Sequence, residues 1–300
     1  PSDLVSVDPR VWAVGKNDVG EMHIDPVRIK LAPNVRLPRI PQYKISKEGE
    51  EGLKGVISDL IQKGIVREID GSPCNSPILP ILKKGKDDAV DEYRFVIDLR
   101  AINKIVVPQY PVVPDMNSIF TMIPPSAAHF TVIDLKNAFF SVPIHEDSQY
   151  LFSFTFRGRS FTFNRAPQGY TESPSIYSQA LKKQLDSFTP TSGTVLLQYI
   201  DDLLLASETE QQCKENTLAL LHHLAKTGHK VSLSKLQYCR QEVCYLGHLL
   251  SKGGRRLHPK RIDLILKMPK PVTQTQLRAF LGMASFCRAW IPNFSLIAKP

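Results

Sequence analysis

The stretch QYIDDLLLAS, residues 198–207, places two adjacent carboxylates, Asp201 and Asp202, between two apolar runs. This pattern predicts a strand, a tight turn at residues 200–202 and a second strand, with the carboxylates at the edge of a core. A buried carboxylate is costly unless a cation lies against it. The pair is therefore expected either to cap the turn, as Asp often does, or to bind a cation.

A third carboxylate repeats this arrangement. Asp134 ends the apolar run FTVID, residues 130–134, which is typical of a strand buried on both faces. If this strand lies beside the hairpin at 194–206, three carboxylates meet at one sheet edge, and their repulsion requires cations. Carboxylate oxygens suit Mg²⁺, and two such ions can bind the attacking and leaving oxygens of a phosphoryl transfer. We therefore expect two Mg²⁺ ions, for which Mn²⁺ would substitute.

Composition sets broad limits on the protein class. The chain has 300 residues, a net charge of +9 and no apolar stretch long enough to span a bilayer. This length allows more than one subdomain, and the positive charge favours a polyanionic partner. The five cysteines lack CxxC spacing and are expected to be reduced. A zinc cluster is an alternative that matches no standard finger spacing; it would use Cys239, Cys244, His222, His223 and His229.

The remaining elements predict an α+β fold with several subdomains, because helices and strands do not alternate strictly. Apolar spacing predicts a helix over residues 53–61 that ends at Gly64, and alternating Phe residues predict a hairpin over 151–163. Residues 72–100 predict two strands joined by the charged loop KKGKDDAVDE. Three further helix starts are predicted: Ser173 with Pro174, a capping box of Ser207 with Glu210, and a capping box of Thr273 with Gln276.

Five motifs resemble those of retroviral reverse transcriptases, and they occur in the order found in that family. The first is Tyr199-Ile200-Asp201-Asp202, which matches the family's Tyr-x-Asp-Asp. The others are TVIDLKNAFFSVPIH, APQGYTESPSIYSQAL, KLQYC…VCYLGHLLSKGG and QLRAFLGMASFCRAWIPNF. The similarity extends from about residue 24 to residue 294. The chain most resembles gammaretroviral, murine-leukaemia-like enzymes, including those of endogenous retroviruses.

The resemblance implies a right-hand polymerase with fingers, a palm with a mainly antiparallel mixed sheet, and a partial thumb. By position, the segments would be an N-terminal arm and fingers at 1–108, palm at 109–144, fingers at 145–170, palm at 171–252 and thumb at 253–300. The implied activity is RNA-directed and DNA-directed DNA polymerisation, which adds dNTPs to a primer 3′-OH by two-metal phosphoryl transfer. The chain would be a Pol polyprotein fragment without an RNase H domain, active in the virion and the host-cell cytoplasm.

The family's motifs also imply roles for individual residues. Asp134, Asp201 and Asp202 would be the catalytic metal ligands, with the Leu135 carbonyl assisting. The residues implied to hold the incoming dNTP are Lys83, Lys84, Arg94, Asn137, Ala138, Phe139 and Gln168. Lys and Arg suit a triphosphate because both neutralise phosphate and Arg binds it bidentately. The Phe139 ring would leave no space for a ribose 2′-OH.

The implied partners are an RNA or DNA template with an annealed primer, dNTPs and other parts of the Pol polyprotein, with no membrane. Template–primer contacts are assigned to Tyr199, Leu246, Gly247, Arg255, Arg256, Arg278 and Arg288. The arginines would follow duplex phosphates without reading sequence. Taken one at a time, each arginine also fits a solvated charged face, and YLGHLL at 245–250 also fits an ordinary amphipathic hairpin.

Two positions depart from the family's pattern, and two other functions compete with the leading one. Asn137 replaces a commonly acidic residue, and Ala166 replaces Leu or Met.

An RNA-dependent RNA polymerase would share the palm carboxylates, but Phe139 and Tyr-Ile-Asp-Asp in place of Gly-Asp-Asp argue against it. A nucleic-acid-binding scaffold with an inactive site is the other alternative. The intact carboxylates and Arg94 argue against that scaffold.

Overall fold

The computed structural model of the protein describes residues 2–15, 18–83, 92–108 and 115–299. Its helices are α1 (Lys47–Gln62), α2 (Arg100–Asn103), α3 (Met116–Thr121), α4 (Glu146–Gln149), α5 (Ser173–Leu185), α6 (Glu210–Lys226), α7 (Pro259–Leu266), α8 (Gln274–Phe286) and α9 (Phe294–Ile297). Its strands are β1 (Val66–Ile69), β2 (Ile78–Lys83), β3 (Glu92–Ile97), β4 (His129–Asp134), β5 (Ser153–Phe156), β6 (Arg159–Phe163), β7 (Thr194–Tyr199), β8 (Asp202–Ser207), β9 (Gln237–Arg240), β10 (Glu242–Tyr245), β11 (His248–Ser251) and β12 (Gly254–Leu257). Short 3₁₀ helices lie at Ser2–Ser6, Pro9–Val11, Ala138–Ser141, Tyr150–Phe152 and Arg288–Trp290.

The strands pair only in antiparallel fashion within the described ranges. The central sheet has the order β7-β8-β4-β9, so the predicted hairpin β7–β8 does lie beside the predicted strand β4. The other sheets are β1-β6-β5, the hairpin β2–β3, and β10-β11-β12. Helices and antiparallel sheets are therefore mixed without regular alternation, which confirms the α+β prediction.

Apolar residues of the central sheet and of the helix behind it form the main core. In β8, Leu203, Leu204, Leu205 and Ala206 are almost completely buried. Helix α6 packs on this sheet and contributes further fully buried side chains, Leu220, Leu221 and Leu224. The core continues into the β1-β6-β5 sheet, whose Phe residues stack on one another. A smaller cluster fills the space between β4, α3 and the β10-β11-β12 sheet. The end of β8 is thus held from both faces.

Most local predictions agree with the structure, and two helix starts do not. Helix α1 ends just before Gly64, which has φ +63°, and Thr273 with Gln276 caps α8 as predicted. The capping box of α6 is formed by Thr209 and Gln212. The predicted Ser207 is buried at the end of β8, where its hydroxyl accepts a 2.9 Å hydrogen bond from Thr194.

The start of α5 is displaced by one residue from the prediction. Glu172 occupies the N-cap position, so Ser173 and Pro174 are the first two helical residues. The hairpin over 151–163 and the strands on either side of the charged loop are present as β5–β6 and β2–β3. Most of that loop, residues 84–91, lies outside the described residues. Among the described helices, none combines the length and the apolar character needed to cross a membrane.

Candidate active site

The paired strands β4 and β8 bring the three predicted carboxylates to one end of the central sheet. Asp134 and Asp202 are direct cross-strand partners, so their side chains share one face of the sheet. Asp201 precedes Asp202 in the β7–β8 turn, and the Leu135 amide donates a 3.3 Å hydrogen bond to the Asp201 carbonyl. The sequence prediction that strand 130–134 lies beside the hairpin is therefore confirmed, and the carboxylates are neighbours.

The turn that carries Asp201 has an unusual backbone. Ile200 has φ +55°, a left-handed conformation that is rare for a β-branched residue and costs about 1–2 kcal/mol. Gln198 offsets this cost, because its side-chain amide donates to the Ile200 carbonyl at 3.1 Å and to the Ser178 carbonyl at 3.0 Å. The turn is thus fixed to α5, and strain of this kind is typical of functional sites.

Burial and mutual repulsion both act on the carboxylates. Burial, with repulsion from Asp201 and Asp134, raises the pKa of Asp202 to about 6. Burial and the charge of Asp134 also raise the pKa of Asp201. The Lys235 ammonium opposes both shifts and lies 3.1 Å from each carboxylate oxygen of Asp134. The protein thus holds more negative charge here than this lysine neutralises.

The site fits divalent cations by the chemistry of its donors. Asp134, Asp201 and Asp202 offer carboxylate oxygens, which are hard ligands suited to Mg²⁺, and repulsion among them is relieved by any cation placed between them. In the described part of the chain, no three acidic, His or Cys side chains form a ready-made chelating group. Both carboxylate oxygens of Asp134 lie near the Lys235 ammonium, so a bound ion would compete with this lysine for Asp134.

The aromatic residue predicted as a sugar gate packs against Tyr177, which lies near Asp201. Phe139 is half-buried in the 3₁₀ helix Ala138–Ser141, and its ring meets the edge of Tyr177 with centroids 6.1 Å apart. Burial and the charge of Asp201 raise the pKa of Tyr177, so this tyrosine links the two regions. Phe140 instead stacks on Phe163 and packs against the core.

Asn137 precedes this 3₁₀ helix and is anchored by the N-terminal segment. It adopts a left-handed conformation with φ +50°, which Asn tolerates better than most residues. Its side-chain amide donates a 2.8 Å hydrogen bond to the Asp18 carbonyl, and the Asp18 carboxylate pairs with Lys230 at 3.3 Å. A carboxylate at position 137 would have no proton to donate there. Ala138 is buried directly beneath.

The structure brings two of the predicted fingers residues together. Arg94 on β3 donates a 2.8 Å hydrogen bond to the Gln168 side chain. Because Arg94 is exposed, its guanidinium keeps donors available for a phosphate. Lys83 is exposed at the end of β2, and Lys84 lies outside the described residues.

The predicted primer-positioning residues lie in the hairpin β10–β11 and beside the carboxylates. Leu246 and Gly247 form its turn, with φ +48° and +78°, and the Arg261 guanidinium lies over Gly247. A Cβ at Gly247 would lie 3.4 Å from this guanidinium, so glycine suits both the backbone and the contact. Tyr199 pairs with Asp202 across β7 and β8 and is half-buried.

The predicted thumb arginines fall into two environments. The Arg255 guanidinium lies 4.5 Å from the Phe120 ring centroid and 5.3 Å from that of Trp290, and one of its terminal nitrogens is buried. The buried His248 ring stacks on Trp290 in the same cluster. Arg255 therefore holds the region after β12 against α3 and is partly withdrawn from the surface.

The other three arginines are exposed. Arg256 pairs with Glu242 across the β10-β11-β12 sheet. Arg278 on α8 and Arg288 after it present their side chains to solvent. These three remain available to a polyanion, whereas the position of Arg255 differs from that expected of a phosphate contact.

A model of the family described as "Reverse transcriptase (RNA-dependent DNA polymerase)" matches residues 81–250, which include β4, the β7–β8 turn and the hairpin β10–β11. This match covers more than half of the chain. The chain belongs to the reverse transcriptase family. Divalent metal dependence is a property of this family, in agreement with the donors at the β4–β8 edge.

Individual relatives support the same assignment. The chain is 46% identical over 296 residues to the Gag-Pol polyprotein of Walleye dermal sarcoma virus, an alignment that covers 99% of the chain. It is 41% identical to the Gag-Pol polyprotein of Koala retrovirus over 97% of the chain. In each case the chain spans 17% of the polyprotein. The retroviral resemblance inferred from the sequence is thereby confirmed.

The fold is shared with a solved reverse transcriptase. The foamy viral protease-reverse transcriptase in complex with an RNA/DNA hybrid superimposes with a TM-score of 0.81 at 30% identity. The alignment covers 97% of this chain and 38% of the foamy viral chain. The predicted polymerase fold, α+β with antiparallel sheets, is therefore confirmed.

Sequence reasoning missed several residues that complete the site. Lys235 contacts Asp134 from 101 positions away in the chain, and no local pattern marks it beyond its place at the start of KLQYC. Gln198 and Tyr177 lie in a regular strand and a regular helix, where no sequence motif distinguishes them. Each contacts at least one residue of another element: Asp134 for Lys235, Ser178 for Gln198 and Phe139 for Tyr177.

The zinc cluster considered from the sequence does not form. His229 lies 2.7 Å from the Gln184 side chain and 3.4 Å from the Tyr177 hydroxyl, and burial lowers its pKa to about 4. His223 contacts the Gln184 carbonyl, and Cys239 contacts Thr131. No zinc-like grouping is present in the ranges that the structure covers.

Proposed function

We propose that this chain is the polymerase part of a retroviral Pol protein, which copies RNA and DNA templates by adding dNTPs to a primer 3′-OH. The observation that carries this proposal is the alignment of Asp134 with Asp202 at the β4–β8 edge, with Asp201 in the adjoining turn. Membership of the reverse transcriptase family supports the choice of reaction.

In this proposal the carboxylates of Asp134, Asp201 and Asp202, with the Leu135 carbonyl, hold two Mg²⁺ ions, and Mn²⁺ substitutes for them. Bound ions would neutralise charge on the attacking 3′-oxygen and on the leaving pyrophosphate. The protein contributes the rigid edge that keeps the carboxylates together, through the ladder of β4 with β8 and the Gln198 contacts of the turn. Lys235, which now pairs with Asp134, would compete with the ions for that carboxylate.

The incoming dNTP is placed between the fingers hairpin β2–β3 and the carboxylates. Arg94, oriented by Gln168, donates to the triphosphate, and Lys83 and Lys84 add positive charge beside it. The backbone at Asn137 and Ala138 lies beneath the sugar and phosphates. The half-buried Phe139 ring rests on Tyr177 and blocks the space that a 2′-OH would need.

The template–primer duplex is placed along the β10-β11-β12 sheet and the helices that follow. Tyr199 and the Leu246-Gly247 turn would position the primer end, and exposed Arg256, Arg278 and Arg288 would follow duplex phosphates. Arg255 would act indirectly, by holding the thumb. The foamy viral neighbour in complex with an RNA/DNA hybrid supports this choice of partner.

The division into subdomains follows the positions inferred from the sequence, with one change. The arm and fingers are residues 1–108 and 145–170, and the palm includes residues 109–144 and 171–252. A boundary at 252/253 would divide the hairpin β11–β12, so the thumb is better begun after Leu257. The retroviral polyprotein relatives favour a location in the virion, and activity in the host-cell cytoplasm is part of the proposal.

Primer extension with Asp201→Asn tests the function directly. The parent chain should extend a DNA primer on RNA and DNA templates with Mg²⁺ and dNTPs. The variant should bind the same duplex with nearly unchanged affinity but lose extension, because a ligand and its charge are lost without a change of shape. A parent that binds the duplex but never extends it would support an inactive scaffold. Extension by the variant at the parent's rate would refute the metal assignment.

A further inference from the structure

Two cysteines from different elements meet beneath the central sheet. Cys213 is on α6 and Cys239 is on β9, and their sulfurs lie 3.4 Å and 3.6 Å from the same hydroxyl oxygen of Thr131. Thr217 donates a 2.9 Å hydrogen bond to that oxygen. The two sulfurs are therefore neighbours in a small polar pocket between the helix and the sheet.

An irregularity in the sheet directs Cys239 into this pocket. The β4–β9 register shifts between Phe130 and Val132, on either side of Thr131, and Cys239 has φ +44°. Instead of a regular ladder partner, the Cys239 amide uses the Thr131 hydroxyl as its acceptor at 3.0 Å. Bulges of this kind re-aim a side chain. Here the redirected side chain is a half-buried thiol that faces the fully buried Cys213.

The surroundings favour a thiolate on Cys213, whereas the hydrogen bond to Cys213 and burial raise the pKa of Cys239. The hydrogen bond from Cys239, helped by nearby hydroxyls, lowers the pKa of Cys213 to about 7, although burial opposes the shift. Elsewhere in the chain, burial alone raises the pKa of Cys74 to about 11. Because the thiolate is the reactive form of cysteine, the pair is chemically distinct from a thiol that is merely buried.

We propose that Cys213 and Cys239 are a modification site, a dithiol that hydrogen peroxide or another small hydroperoxide oxidises to a reversible disulfide. Peroxide reaches the half-buried Cys239 sulfur, whose proton passes along its hydrogen bond to Cys213. The resulting Cys239 thiolate attacks the peroxide, the O–O bond breaks, and a sulfenic acid forms with release of water. The Cys213 thiolate attacks that sulfur, the S–S bond forms, and the S–O bond breaks. The hydroxide leaves as water with the proton that Cys213 had lost, so two thiols and one peroxide give one disulfide and two waters.

The disulfide does not depend on the polymerase assignment, and it has a distinct structural consequence. An S–S bond of about 2.05 Å requires the two sulfurs to approach, which draws β9 towards α6. The left-handed residue and the register shift make this the part of β9 most able to adjust. Reduction by dithiothreitol should reverse the change.

Tryptic peptide mapping provides a direct test, since each of the five cysteines falls in a different tryptic peptide. The full chain is reduced, freed of reductant, treated with hydrogen peroxide at a few equivalents, alkylated and digested. The expected product joins residues 184–214 to residues 236–240 through one disulfide. The two thiols should disappear together, the other three should remain alkylated, and dithiothreitol should release both peptides.

Matched variants identify the pair. Cys213→Ser and Cys239→Ser should each abolish the cross-linked peptide, whereas Cys74→Ser and Cys244→Ser should leave it unchanged. Circular dichroism checks that each variant is folded. Cys239→Ser should disturb folding less than Cys213→Ser, because Cys239 is only half-buried. Two results with the parent protein would overturn the proposal. One is oxidation of Cys213 and Cys239 without a disulfide between them, and the other is preferential oxidation of Cys74 or Cys244.

Discussion

Replacing Asp202 by Asn should stabilise the metal-free protein, because it removes a buried charge that repels two others. The pKa of Asp202 rises from an ordinary 3.8 to about 6. At about 1.36 kcal/mol for each pKa unit, the full cost of keeping this carboxylate charged at neutral pH is about 3 kcal/mol. The side chain is only half-buried, so solvent screening reduces the expected gain to about 1–2 kcal/mol.

The sign of this effect fixes its pH dependence. A carboxyl group whose pKa is raised by folding binds its proton more tightly in the folded protein. Its favourable contribution is therefore complete below pH 4 and is lost as the pH rises through about 6. Asp202→Asn should match the parent's stability near pH 4 and exceed it above pH 7. Bound Mg²⁺ should reverse this order, because only the parent keeps all three carboxylates.

Urea unfolding in EDTA at a series of pH values measures the difference. Asp98→Asn is a matched control of opposite sign, since hydrogen bonds from Arg100 lower the pKa of Asp98. That substitution should destabilise the protein at neutral pH. An Asp202→Asn variant that is no more stable than the parent at pH 7.5 in EDTA would refute the reasoning. So would a gain that is the same at every pH.

Three further substitutions test separate contacts. Phe139→Val should raise the kcat/KM for rNTPs relative to dNTPs by orders of magnitude, and an unchanged ratio would exclude Phe139 as the gate. Arg255→Met should lower the free energy of unfolding by about 1–2 kcal/mol, because the contacts of Arg255 with two rings are lost. Arg256→Met, at an exposed position, should change it little. Equal effects of the two substitutions would contradict this expectation. Asn137→Asp should raise the KM for dNTPs because the bond to the Asp18 carbonyl is lost, and an unchanged KM would show that this anchor is dispensable.

Local chemistry explains why the strands and turns of the site could be predicted from the sequence. Apolar runs that end in Asp identified β4 and β8, and antiparallel pairing of neighbouring strands was enough to bring the carboxylates together. The capping box of α6 was misplaced because Ser207 and Thr209 are both suitable caps. Ser207 cannot be the cap because β8 extends through it and buries it against Thr194.

Contacts between distant segments could not be predicted in this way. Lys235 reaches Asp134 only because β9 joins the edge of the sheet next to β4, and Cys239 faces α6 only because that pairing shifts its register. Alternating apolar and polar residues show which face of a strand is buried. The strand's partner and register depend on the whole fold. The hydrogen bond from Asn137 to the Asp18 carbonyl in the N-terminal segment is another contact between distant segments.

Burial of the surrounding core outweighs the cost of placing charged carboxylates at this edge. Each fully buried Leu contributes about 1.5–3 kcal/mol relative to an exposed one, and Leu203, Leu204 and Leu205 follow Asp202 directly. One or two of these side chains offset the cost of about 3 kcal/mol for the charged carboxylate. The same strand therefore supplies both the charge that binds cations and the burial that tolerates it. We therefore expect Leu204→Ala to lower the free energy of unfolding by much more than Asp202→Asn raises it.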